Sequence, residues 1–118
     1  MHTTERLNQL SPAVRDRVKI ERRIVKHLVR ELLEHGFDLA VNDGEELHPR
    51  TRDAETLFSQ LMETDMDTLV AYWPTSDVPL GVSLVYGNDG WDVMADWSTD
   101  LEANGYITKT IELAERLG

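Results

Sequence analysis

Three aspartates in the last third of the sequence have side chains that could bind a cation. Asp89, Asp92 and Asp96 are three and four residues apart, so their carboxylates would project from neighbouring positions on a helix. Hard cations such as magnesium prefer oxygen ligands of this kind. The spacing fits no calcium loop, because the later ligands and the terminal glutamate are missing. Turn chemistry is the favoured interpretation, and a carboxylate-metal enzyme stays open as a weak alternative.

Two tryptophans lie among these aspartates and suggest a second role for the segment. Large indole side chains usually fill the core, but exposed indoles are the typical anchors of protein interfaces. If Trp91 and Trp97 are exposed, the surrounding carboxylates would make the patch selective for a basic protein surface. The predicted partner-binding residues are Asp89, Trp91, Asp92, Asp96 and Trp97.

A row of basic residues follows one side of the first predicted helix. These residues, which we call the basic stripe, are Arg15, Lys19, Arg22, Arg23, Lys26 and Arg30. Such a row suits a phosphate backbone, an acidic partner or a second copy of the chain. In the favoured interpretation the long stems cover apolar surface and the charges pair with glutamates of the same chain. No aromatic residue is interleaved with the row, which argues against single-strand nucleic acid.

Histidines provide a third possible source of chemistry. His27, His35 and His48 have no recognised ligand spacing, and structural roles are favoured for all three. The sequence also lacks a glycine-rich phosphate loop, a nucleophile elbow and a His-Glu-x-x-His motif. We therefore predict a non-enzymatic protein without a cofactor.

The distribution of charge divides the chain into two unequal parts. Residues 1–35 hold eight Lys and Arg against five acidic residues, whereas residues 36–118 hold four against seventeen, a local net charge of −13. A surface this acidic repels nucleic acid and attracts basic proteins. The chain has no cysteine, and neither an apolar stretch of membrane-spanning length nor a secretory signal is recognisable. These features predict a cytoplasmic protein that does not enter the membrane.

The pattern of apolar residues predicts the elements that position these side chains. Ser11-Pro12 is typical of a helix start, and Gly36 of the end of the same long helix. Residues 37–41 alternate as a short strand, and a second helix follows a cap at Thr51 or Asp53.

The second half is predicted as a hairpin followed by helix. Leu69 to Trp73 and Leu80 to Tyr86 are rich in β-branched and aromatic residues, which favours two strands joined by a longer loop. Residues 91–97 fit both strand and helix periods, and we slightly favour helix with Asp89 as its cap. Apolar residues from Ile107 to Leu117 predict a C-terminal helix.

The whole pattern indicates one α+β domain spanning residues 1–118, with residues 1–10 as a loose N-terminal segment. We expect a small antiparallel sheet of three strands, or four if residues 91–97 are extended, with three helices packed on it.

Several segments together resemble a group of small, uncharacterised proteins encoded by phages and prophages. The segments are Val41-Asn42-Asp43-Gly44-Glu45, residues 64–69, residues 84–93, Asp96-Trp97-Ser98 and Leu101-Glu102. The similarity spans residues 14–117, and the stretch from Tyr86 to Trp91 is its most specific part. The resemblance implies a bacterial cytoplasm during phage gene expression, where small acidic proteins frequently bind host machinery, but it assigns no functional residue.

The sequence thus favours an accessory protein that binds a host or phage protein through its acidic, Trp-containing surface. The alternative is a nucleic-acid binder or a self-associating protein that uses the basic stripe, with nucleic acid less favoured because of the overall charge.

Overall fold

The structure is a computed structural model that describes residues 10–118. Its elements in chain order are α1 (Pro12–Glu34), β1 (Asp38–Asn42), α2 (Ala54–Gln60), β2 (Met66–Tyr72), β3 (Leu80–Val85), β4 (Met94–Trp97), α3 (Thr99–Ala103) and α4 (Thr108–Leu117). No helix among these residues is both long enough and apolar enough to cross a membrane. Most of the expected loose N-terminal segment lies outside the described residues, and Leu10, at its end, packs partly buried against the core.

Helix α1 begins and ends where the sequence predicts. The Ser11 hydroxyl oxygen accepts a hydrogen bond from the Val14 amide at 3.4 Å, and Pro12 occupies the first turn. Gly36, with φ +96°, follows the last turn in the left-handed conformation that glycine adopts most easily. Apolar residues of α1 recur at helical spacing and form a buried stripe, which consists of Val18, Ile24, Val25, Leu28, Val29 and Leu32. This stripe forms one side of the core.

Four strands form one antiparallel sheet in the order β1-β2-β3-β4, which confirms the α+β fold class. Val41 pairs with Leu69, and Leu69 pairs with Val82, so these buried residues lie side by side on one face of the sheet. That face belongs to the same apolar cluster as the stripe of α1. The predicted hairpin from β2 to β3 is present, with the proline-containing loop between its strands.

The slightly favoured prediction of a helix over residues 91–97 is wrong. Met94–Trp97 is strand β4, and Asp89 caps no helix. Ser83 pairs with Asp96 and Leu84 with Met94, so Ala95 is an extra residue in a β-bulge. Because of this extra residue, Met94 and Trp97 are withdrawn from solvent although they are three positions apart, while Ala95 between them is exposed. The bulge therefore gives the residues withdrawn from solvent the three-residue spacing that is typical of one face of a helix.

The remaining helices agree with the sequence pattern. Asp53 caps α2, since its Oδ2 accepts a hydrogen bond from the Thr56 amide at 3.3 Å. The C-terminal helical region is divided at Gly105, with φ +76°, into the short α3 and the longer α4. Ile107 and Leu113 are buried and bring α4 onto the core beside β4.

Candidate functional site

An apolar groove lies between strand β4 and helix α4. Its cavity volume is about 420 Å³, within the range of ligand-binding pockets. The residues that line it are Trp91, Asp92, Met94, Trp97, Ile111, Ala114, Glu115 and Gly118. We call this feature the tryptophan groove. It is the candidate site, because it combines two indoles with two carboxylates on an open surface.

The Trp97 wall of the groove is held in place by two carboxylates. The indole Nε1 of Trp97 donates a hydrogen bond to Glu102 Oε2 at 3.1 Å, which fixes the orientation of the ring. The Trp97 backbone amide donates to Asp96 Oδ1 at 2.9 Å. This second bond occupies an amide of the short edge strand, so a partner adding as a further β-strand would have to displace it. The geometry favours insertion of a side chain over strand addition.

Trp91, the second indole of the groove, is carried by a tight turn that is pressed against α1. Its side chain remains 44% exposed. Gly90 before it is buried with φ +99°, and an added Cβ would lie 3.2 Å from both the Arg17 carbonyl oxygen and the Ile20 side chain. Only glycine allows this close approach without a shift. The contact between Gly90 and α1 therefore sets the position of Trp91.

A buried glutamate of α1 holds the same turn. Glu21 is 1% exposed, and its Oε2 accepts a hydrogen bond from the Gly87 amide at 2.8 Å. Its Oε1 lies 3.7 Å from Arg17 Nε. Burial raises the pKa of Glu21, while the Gly87 hydrogen bond and the Arg17 charge oppose that rise. Sequence analysis missed Glu21, although an acidic residue on the buried side of an amphipathic helix is a usable signal.

A second buried carboxylate holds the start of the turn. Asp67 Oδ2 accepts hydrogen bonds from the Tyr86 hydroxyl at 2.5 Å and from the Met62 amide at 3.0 Å. Met62 has φ +63°, a strained conformation for a residue with a side chain. Burial raises the pKa of Asp67 despite both hydrogen bonds, and burial together with Asp67 raises the pKa of Tyr86 well above its ordinary value. The turn that carries Trp91 is thus held at its start, through Asp67, and at its end, where Gly90 contacts α1.

The opposite wall, α4, is fixed by a third buried carboxylate. Glu31 Oε1 accepts hydrogen bonds from the Thr110 amide at 2.8 Å and the Thr110 hydroxyl at 2.7 Å, and its Oε2 accepts from the Lys109 amide at 3.1 Å. Glu31 therefore satisfies free N–H groups at the start of α4, although it lies on α1. This cap, formed between residues 79 positions apart, was not visible in the sequence.

His27 joins this cap in an arrangement that superficially resembles a nucleophile and its base. Its Nδ1 lies 2.6 Å from Thr110 Oγ1. Because the Thr110 hydroxyl donates its hydrogen to Glu31 Oε1, its oxygen accepts from the N–H of His27 Nδ1. Thr110 is fully buried, so its hydroxyl cannot reach a substrate. The arrangement is a structural link between α1 and α4.

The structure brings together part of the predicted partner-binding set. Trp91, Asp92 and Trp97 line the tryptophan groove. Asp89 is exposed in the turn, and its amide donates a hydrogen bond to Asp92 Oδ1 at 3.2 Å. Asp96 is exposed on β4 and borders a separate depression beside Ser83. Met94 and the residues of α4 were not part of the prediction.

The three aspartates do not converge as a cation site would require. Within residues 10–118 the group whose ligand atoms lie close together is Asp43, Glu46 and His48. Here His48 Nε2 is 3.2 Å from Asp43 Oδ2, and Nδ1 is 3.3 Å from Glu46 Oε1. Hydrogen bonds from the amides of Glu45 and Glu46 lower the pKa of Asp43, with His48 adding to the effect. This group organises the turn after β1.

The basic stripe runs along one side of α1, where three of its residues are exposed and three are half-buried. The ion pairs expected between it and the chain's own glutamates are absent, since none of its six side chains lies within 4 Å of a carboxylate of residues 10–118. The expected covering of apolar surface is present at one end, where Lys26 and Arg30 lie over the ring of Phe58. Desolvation lowers the pKa of Lys26, and repulsion from Arg22 and Arg30 adds to the effect.

Comparison with known proteins provides no family for this fold and groove. No protein-family model matches the chain, and neither a curated protein nor a solved structure has a significant match to it.

Proposed function

We propose that this chain is a non-enzymatic accessory protein that binds a partner protein by holding an apolar anchor residue of a basic segment in the tryptophan groove. The observation that carries the proposal is the exposed Trp91 beside the fixed Trp97, with about 420 Å³ between β4 and α4. A rigid, half-exposed indole loses little conformational entropy on binding and provides a large contact area.

Charge supports a basic partner. Asp92 and Glu115 line the groove, Asp89 is exposed beside it, and residues 36–118 as a whole have a net charge of −13. Lysine or arginine residues flanking the anchor would be attracted to these carboxylates, which chiefly raises the association rate and the specificity. The resemblance to phage-encoded proteins supports a host or phage protein as the source of the segment.

Selection from an unbiased peptide library tests the proposal. We expect the wild-type protein to enrich peptides with one or two large apolar residues flanked by Lys or Arg, and Trp91→Ala to lose that enrichment. Trp73→Ala is the matched control, because Trp73 is 38% exposed but lies outside the groove, where it stacks on Phe37.

Enrichment of acidic peptides that depends on Trp91, or identical enrichment of basic peptides by wild type and Trp91→Ala, would contradict the proposal. Binding of small apolar molecules in the groove, with no peptide selected, would also contradict it and would assign the groove to a small ligand.

A further inference from the structure

A second surface, formed by the basic stripe along one side of α1, has an excess of positive charge that no carboxylate of residues 10–118 pairs with at close range. The sequence contains 22 acidic residues and 12 Lys and Arg. Arg17, Arg50 and Arg52 each have a carboxylate within 4 Å. The six side chains of the basic stripe, in contrast, have no such partner within residues 10–118, although carboxylates are nearly twice as numerous.

The stripe has the shape of a narrow band. At about 1.5 Å per residue, the distance along α1 from Arg15 to Arg30 is roughly 22 Å. At about 100° per residue, its members occupy roughly 100° of the helix circumference. No acidic residue falls inside the band, because Glu21 and Glu31 are buried on the core side of α1. A uniform row of this length matches a similar row of negative charges.

Carboxylates border the band and limit the width of a partner. Asp16 and Glu34 lie along one edge of the helix, and both are exposed. Glu55 of α2 is close enough to oppose the lowering of the Lys26 pKa. A nucleic acid duplex is wider than a single helix and would bring its phosphates against these acidic residues. A single acidic helix, about 10–12 Å across with its side chains, is narrower and brings fewer negative charges against them.

We infer that the basic stripe of α1 docks an acidic helical segment of a partner protein. This surface is separate from the tryptophan groove, which lies between β4 and α4, and the two proposals fail independently. The spacing of the stripe, with intervals of four, three, four and four residues from Arg15 to Arg30, is the spacing of one helix face. A second helix with glutamates at the same spacing would therefore present a matching row.

The test uses two helical peptides of identical composition in an alanine-rich background. One carries glutamates at the spacing of the stripe, and the other carries the same number distributed around the helix. We expect the wild-type protein to bind the first peptide more tightly at about 20 mM salt and to release it at about 500 mM, where the Debye length falls to a few ångströms.

Two variants with equal change in net charge locate the binding surface. Lys19→Gln combined with Arg23→Gln removes two exposed charges of the stripe, and Arg116→Glu makes the same change on α4. We expect the first variant to weaken binding of the matched peptide roughly fivefold, in the range for two surface ion pairs, and the second to leave it unchanged.

Equal binding of both peptides, or equal effects of the two variants, would overturn the inference because the attraction would then be non-specific. Tighter binding of duplex DNA than of the matched peptide would assign the stripe to phosphate. Salt-sensitive dimerisation that Lys19→Gln/Arg23→Gln abolishes, without peptide binding, would assign it to a second copy of this chain.

Discussion

The amide of Gly87 donates a hydrogen bond at 2.8 Å to Oε2 of Glu21, a buried carboxylate 66 residues earlier in the chain. This bond attaches the turn that carries Trp91 to helix α1, so a residue distant in sequence from the tryptophan groove controls its geometry.

Removing this carboxylate should loosen the turn. In Glu21→Ala the Gly87 amide loses its acceptor, and a lost buried hydrogen-bond partner costs about 1–3 kcal/mol of unfolding free energy. Glu21→Gln keeps an oxygen acceptor and should cost less. Urea denaturation of the three proteins measures the difference. Equal stabilities for Glu21→Ala and wild type would show that the bond does not hold the turn.

The close approach of Gly90 to α1 should make this position intolerant of a side chain. Gly90→Ala places a Cβ 3.2 Å from the Arg17 carbonyl oxygen and also forces alanine into φ +99°. The backbone conformation alone costs about 1–3 kcal/mol, and the contact adds to it. Gly44→Ala is the matched control, because Gly44 has φ +93° but no atom within 4 Å of the added Cβ. Thermal denaturation should show the larger loss for Gly90→Ala, and an equal loss would mean that the contact is harmless.

The cap of α4 depends on the Thr110 hydroxyl. Thr110→Val keeps the volume of the side chain but removes the hydrogen bonds to Glu31 and His27, at a cost of about 1–3 kcal/mol for the unsatisfied partners. Thr108→Val changes an exposed threonine of the same turn and should have little effect. Amide hydrogen exchange should be faster throughout α4 in Thr110→Val. Unchanged protection would contradict the role assigned to this cap.

Asp67 should make stability depend on pH in a defined direction. Burial raises the pKa of Asp67 in the folded protein above its ordinary value, so folding disfavours the ionised form. Its contribution to stability is therefore complete below about pH 4, near the ordinary pKa, and is lost as the pH rises through the raised value. Asp67→Asn cannot ionise at this position.

The stability difference between wild type and Asp67→Asn isolates this effect. We expect the wild type to lose stability relative to Asp67→Asn as the pH rises from about 4. Urea denaturation at a series of pH values measures the difference. A constant difference, or one that changes in favour of the wild type at higher pH, would mean that burial does not raise the pKa of Asp67 in the folded protein.

Local signals in the sequence were sufficient for most of the fold. Ser11-Pro12 and Gly36 fix the ends of α1 through backbone rules that need no tertiary contacts, and these predictions are confirmed. The segment 91–97 failed because the bulge at Ala95 is a property of pairing with β3. A single sequence does not contain that register.

Part of the candidate site was also predictable from local signals in the sequence. Trp91, Asp92 and Trp97 are close in sequence, so their proximity followed from local spacing. The contribution of Glu115, and the support from Glu21 and Glu31, depend on how α1 and α4 pack together. Glu21 lies at a buried position of the apolar stripe, which is a usable signal. Acidic residues on a helix normally face solvent, however, so the burial of Glu31 and the partners of both carboxylates did not follow from local spacing.

Nuclear magnetic resonance of the indole N–H groups tests the tryptophan groove most directly. The chain has three tryptophans, so three indole signals report on the surface, and each can be assigned by a Trp→Phe variant. On titration with a selected basic peptide that carries an apolar anchor, the signals of Trp91 and Trp97 should move together while that of Trp73 stays in place. Movement of the Trp73 signal, with those of Trp91 and Trp97 unchanged, would contradict the account.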